Sequence, residues 1–209
     1  MAERGFLVGP RVWQSVLGID LERNYVGDEK MAQSVPPASA VYAWKRSFRA
    51  PRGLASDPVS LARWLAETTK TPSAILPQKE LSHYLLLHGL SIGGAALSEA
   101  KLQTLEEWVK EVKCRRWLLE VMESIGALAP PLYVGETDNL ARRVKDHLGY
   151  KTDFSITLRD KLKLSWQDCE LWYCLLPEEL ITVSPKERRT LIELVVARLT
   201  VAGCTSRPG

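Results

Sequence analysis

Three short runs rich in strand-forming residues, 40–45 (AVYAWK), 132–136 (LYVGE) and 169–176 (CELWYCLL), constrain this chain most, because a long helical stretch cuts the first off from the second. A lone strand leaves its backbone N–H and C=O groups unpaired, so these runs must find one another across that gap. The stretch between them carries apolar residues at helical spacing. Ser56-Asp57-Pro58 starts a helix with Leu61, Trp64 and Leu65 on one face. Residues 77–80 (PQKE) open another helix through Leu87, stopped by Gly89. Ser98 begins the longest, with Leu102, Leu105, Trp108, Val109, Val112, Trp117, Leu118, Val121 and Met122 at helical spacing, ended by Gly126 and Pro130-Pro131. Residues 48–130 therefore read as a helical insertion, and the class is mixed, α/β (α+β).

Outside that block, residues 1–38 read as an N-terminal arm, with a short helix over 11–17 behind Pro10 and an exposed linker over 31–39. Helices are expected over 138–148, ending at Gly149, over 155–164, and from Ser184-Pro185 to about Val201. Residues 204–209 form a flexible tail. The four cysteines, Cys114, Cys169, Cys174 and Cys204, make no C-x-x-C pair and have no His at zinc spacing, so reduced thiols in a cytoplasmic protein are expected. The N-terminus has no charged stretch followed by a long apolar one, and residues 84–97 are too short and glycine-broken to span a bilayer. A soluble, intracellular protein with no membrane contact follows. A net charge of +3 and a pI near 8.7 permit nucleic-acid binding without demanding it.

Chemistry concentrates in residues 133–147 (YVGETDNLARRVKDH). A strand delivers Tyr133, and Gly135 lets the backbone turn sharply. Thr137 or Asp138 can cap the next helix. Arg143 and His147 are four apart on that helix and share a face. A phenol, a guanidinium and an imidazole can thus converge. Arg suits a phosphate, while Tyr and His orient or move a proton. Between residues 141 and 163, seven basic side chains (Arg142, Arg143, Lys145, Lys151, Arg159, Lys161, Lys163) face three acids (Asp146, Asp153, Asp160). Such a patch suits a polyanion, although a solvated helix face carries the same composition.

The pattern Y-V-G-x-T-x-N-L-x-x-R-x-x-x-H over 133–147 resembles the second half of the GIY-YIG nuclease signature, and Ala40-Val41-Tyr42 resembles the first, with Ala where the family has Gly. The likeness covers 39–47 and 131–203. It implies a small, mainly antiparallel three-stranded sheet flanked by helices, with 48–130 inserted in the first hairpin, because Tyr42 and Tyr133 stand 91 residues apart. It implies a divalent-metal-dependent endonuclease that cuts DNA. Tyr42 and Tyr133 would flank the scissile phosphate, Arg143 would stabilise its developing charge, and His147 would bond a tyrosine. Glu193, in the final helix, would hold one Mg²⁺ or Mn²⁺. Arg142, Lys145, Lys151, Arg159 and Lys161 would contact DNA. Symmetric cutting of a duplex would call for a homodimer.

A second reading stays open. Ala40 in place of Gly, and the lack of an Asn after the final helix, fit an inactive GIY-YIG-like DNA-binding or scaffold module whose helical insertion meets a protein partner. Lys110, Lys113, Arg115 and Arg116 are a solvated face or a second DNA-contacting surface. His83 and His88 among leucines read as packing or capping residues. Ser91-Ile92-Gly93-Gly94 lacks the residues of a phosphate loop. The tryptophans read as core, with Trp44 set apart because it shares the face of Tyr42 on its strand.

Overall fold

A computed structural model describes residues 13–25, 28–51, 53–70, 74–75, 91–92, 96–176 and 184–200. The helix expected over 77–87 and the tail over 204–209 lie outside the described residues. The elements run β1 (Gln14–Leu17), α1 (Gly18–Asn24), α2 (Asp28–Ser34), β2 (Ala40–Arg46), α3 (Pro58–Lys70), β3 (Ala74–Ile75), β4 (Ser91–Ile92), α4 (Glu99–Trp108), α5 (Val112–Leu128), β5 (Tyr133–Thr137), α6 (Leu140–Leu148), α7 (Asp153–Asp160), β6 (Cys169–Leu175) and α8 (Pro185–Thr200).

The main sheet is antiparallel in the order β1-β6-β2-β5. It has four strands, which corrects the expected three. The extra strand is β1, where a short helix was expected. Gln14 to Leu17 pair with Tyr173 to Glu170 along the open edge of β6. Four residues with no clear period carry little local preference, and an unsatisfied neighbouring edge decides their conformation. The segment expected as an arm is also part of the core. Leu21, Met31 and Val35 are buried with Tyr42, Trp44, Leu140, Val144, Leu148, Phe154, Leu158 and Leu171.

Strand alternation gives the sheet two distinct faces. Ala40, Tyr42 and Trp44 point into the main core, under α6 and α7. Val41, Ala43 and Val134 point the other way and pack against Ile192, Val196 and Ala197 of α8. Helices α3 to α5 make a smaller cluster around Leu61, Ala62, Leu65 and Val109. The single long helix expected from Ser98 breaks near residues 109–111. The break lets Leu105 and Val109 on one side, and Leu118, Leu119 and Met122 on the other, reach the same cluster. Burial of one shared apolar patch outweighs the backbone bonds of an unbroken rod. Among the described residues no helix is long and apolar enough to cross a membrane.

Candidate active site

Tyr42 stands at the centre of the larger core face, fully buried on β2. Its partner across the sheet is Gly135 of β5. A Cβ at residue 135 would lie 2.7 Å from the Tyr42 hydroxyl oxygen and 2.8 Å from the Tyr133 ring. Gly135 is therefore needed for close approach, within a regular strand, rather than for the turn expected there. Its missing side chain is the space in which the two phenols meet, with ring centroids 6.0 Å apart.

Helix α6 brings the other groups. Its N-terminal cap is Asn139, whose side chain accepts from the Arg142 N–H at 3.0 Å. Neither expected residue, Thr137 or Asp138, fills that role. Thr137 instead ends β5 and bonds the Asn139 backbone. One turn on, the Arg143 Nε–H donates to the Tyr42 hydroxyl at 3.1 Å. A further turn on, His147 Nε2 lies 2.9 Å from the same oxygen. His147 is fully buried, and its Nδ1 meets Thr152 Oγ1 at 2.7 Å. Phe154 of α7 stacks on Tyr133 with centroids 4.7 Å apart, while Trp44 and Trp166, 4.7 Å apart, close the space behind the imidazole. Trp44 thus serves as core.

Burial sets the proton states. Loss of solvent, and then the neighbouring Tyr133, push the Tyr42 phenol well above its ordinary value, with Arg143 opposing. Burial, then the Arg143 charge, hold His147 down to about 3. Both groups are neutral at physiological pH. Burial alone would lower the Arg143 guanidinium, but Tyr42 and Tyr133 more than offset it.

The opposite sheet face supplies carboxylates. Glu136 pairs in register with Val41 and so points toward α8. There the Arg189 Nε–H donates to Glu136 Oε2 at 2.6 Å, with both side chains mostly buried. Burial, then Glu136, push the Glu193 carboxyl up, with Arg143 opposing. Glu193 and Arg143 belong to opposite layers and interact around β5, which is an edge strand. A cleft of about 380 Å³ opens there, lined by Glu136, Thr137, Asp138, Arg142, Arg143, Asp146 and Arg189.

No family model, no curated protein and no solved structure matches the chain. Tyr42, Tyr133, Arg143 and His147 come together as one bonded group, and Glu193 approaches it from the other layer. Of the basic residues expected at DNA, Arg142 lines the cleft and pairs with Asp138 at 2.8 Å, both well exposed. Arg159 pairs with Asp160 and lies over the Tyr150 ring, 4.9 Å from its centroid. Lys151 and Lys161 are exposed, and Lys145 is half-buried. Among the described residues no group of three or more His, Cys, Asp or Glu side chains converges on a metal position. The carboxylates nearest one another, Glu193 and the Arg189-paired Glu136, are hard oxygen donors of the kind Mg²⁺ or Mn²⁺ prefers, and water would have to complete any shell. Glu136, Thr152, Ser155, Phe154 and Arg189 were not singled out from the sequence. The Thr152-x-x-Ser155 cap spacing and the i, i+4 pair Arg189/Glu193 were the available signals.

Proposed function

We propose that this chain is a divalent-metal-dependent endonuclease of the GIY-YIG type that hydrolyses a phosphodiester bond of DNA. One observation carries the reading. A buried phenol oxygen on β2 is held by both a guanidinium and an imidazole from a helix some hundred residues later. Packing alone gives no reason to set a half-buried guanidinium and a fully buried, neutral histidine on one tyrosine, because both give up solvent there. A phosphate-handling site does give one.

In this reading Tyr133, half-buried where Tyr42 is fully buried, is the phenol that meets the substrate. Tyr42 sits behind it and connects it to His147. Arg143 places its remaining N–H groups toward the phosphate and stabilises the charge that develops there. His147, neutral and solvent-free, can receive a proton through Tyr42. Glu193, with Glu136 beside it, would hold the ion. When bound, that ion supplies Lewis acidity and steadies the leaving 3′ oxygen. Arg142, Lys145, Lys151, Arg159 and Lys161 extend the positive surface along the DNA. Two copies would serve the two strands of a duplex.

The test is a cleavage assay on supercoiled plasmid and on branched and single-stranded oligonucleotides, with Mg²⁺ or Mn²⁺ set against EDTA. Metal-dependent cutting that disappears in Glu193→Ala and in Arg143→Ala is expected. Folded protein that binds these DNAs but cuts none would replace the reading with an inactive binding module. Protein that neither binds nor cuts would overturn both.

A further inference from the structure

The bonds around Thr152 decide which nitrogen of His147 carries its proton. Ser155 Oγ lies 2.7 Å from the Thr152 carbonyl oxygen and 3.0 Å from Thr152 Oγ1. The carbonyl cannot donate, so the 2.7 Å contact takes the Ser155 proton, and Ser155 Oγ is left to accept from the Thr152 hydroxyl at 3.0 Å. The backbone N–H groups of Thr152 and Ser155 complete the exchange by donating to the opposite hydroxyl oxygens. Ser155 is fully buried and Thr152 half-buried. Thr152 has no proton left for the imidazole. Its oxygen can only accept, at 2.7 Å, from Nδ1.

We propose that Thr152 is a positioning residue that locks His147 as the Nδ1–H tautomer, leaving Nε2 as an acceptor aimed at the Tyr42 hydroxyl. The phenol proton is then directed at Nε2, 2.9 Å away, while the Arg143 Nε–H donates to the same oxygen at 3.1 Å. The opposite tautomer would donate from Nε2 to Tyr42 and leave the histidine unable to take the tyrosine's proton. The N-terminal cap of α7 thus sets the direction of proton flow in the site. The consequence for rate rests on the nuclease reading, whereas the tautomer assignment does not.

The experiment is ¹⁵N NMR of histidine-labelled protein. The chain has three histidines, and His147→Gln identifies the third set of signals. In the wild type, His147 Nδ1 is expected to be pyrrole-like and Nε2 pyridine-like. Thr152→Val removes the acceptor, and Ser155→Ala frees the Thr152 proton to point at Nδ1. Both should move the population toward Nε2–H, while Thr152→Ser restores the wild-type signals. A helix cap that served stability alone would leave the tautomer unchanged. Cleavage by Thr152→Val should slow by about 10²-fold with DNA affinity unchanged, and Thr152→Ser should recover it. A wild-type Nε2–H signal, or no change in the signals of both Thr152→Val and Ser155→Ala, overturns the proposal. An Nδ1–H signal that responds as expected, in a protein that cuts no DNA, supports the assignment and overturns the nuclease reading instead.

Discussion

The two faces of the main sheet solve the problem of buried polarity in opposite ways. Under α6 and α7, Tyr42, His147, Thr152 and Ser155 are neutral and joined by hydrogen bonds, with Arg143 at the margin. Under α8, Arg189 is ion-paired with Glu136, and Glu193 lies close enough for Glu136 to push its carboxyl up and Arg143 to oppose. The first face is sealed by Trp44, Phe154 and Trp166, so ionisation is suppressed there. The second opens toward the cleft at β5, which is lined by Glu136, Asp138, Arg142, Arg143, Asp146 and Arg189. Arg143 belongs to both, bonding Tyr42 on the sealed side and lining the cleft on the open one.

Acid breaks this contrast most strongly. His147 is held at about 3 against an ordinary 6.5, so between those values the unfolded chain binds a proton that the folded chain refuses. Stability therefore rises with pH across that window. On lowering pH below 6.5 the loss should approach about 1.4 kcal/mol per unit. Urea titrations of wild type and His147→Gln from pH 7 to 4 check this, and equal slopes would remove His147 as the cause.

Gly135→Ala comes next. The added methyl must displace β5 or the two tyrosines, costing about 1–3 kcal/mol and disrupting the meeting of the phenols. Chemical denaturation measures the first effect and cleavage the second. Unchanged stability would show that the faces tolerate more separation than the 2.7 Å approach implies.

On the charged face, Arg189→Met leaves Glu136 beside Glu193 without its counter-charge. The pair is only 12% and 24% exposed, so solvent screens the loss incompletely. A destabilisation of about 1–2 kcal/mol is expected, partly recovered when Glu136→Gln is added. A double-mutant cycle isolates the coupling.

Arg142→Ala should be smallest in stability, within about 0.5 kcal/mol, since its bond to Asp138 is exposed. It should still weaken DNA binding. The slope of log affinity against log salt should fall by about 0.9 if one phosphate contact is lost. Fluorescence anisotropy across salt concentrations reads this, and an unchanged slope would take Arg142 off the DNA path.

Strands β2, β5 and β6 were legible because dense β-branched and aromatic residues announce them, and α6 because its spacing and following Gly149 do. Strand β1 was not, since four residues of mixed polarity become a strand only when β6 offers an edge. The break near residue 110 was hidden as well, because an uninterrupted helical period cannot reveal that α3 lies where both halves must reach it. At the site, Arg143 and His147 could be placed on one helix face from their spacing. Glu193 could be singled out as an acid in an apolar run, but not as a neighbour of Glu136.

Local pattern was readable from the residues: which of them share a helix face, and the order of tyrosine, glycine, arginine, histidine and glutamate along the chain. Tertiary structure alone decided that Tyr42 and Gly135 are cross-strand partners, that Thr152 meets His147, and that Arg189 holds Glu136. Periodicity reports the face a residue presents over a few turns. Register across a long insertion, and the direction of a buried hydroxyl, depend on groups distant in sequence that are brought within 3 Å only when the core closes.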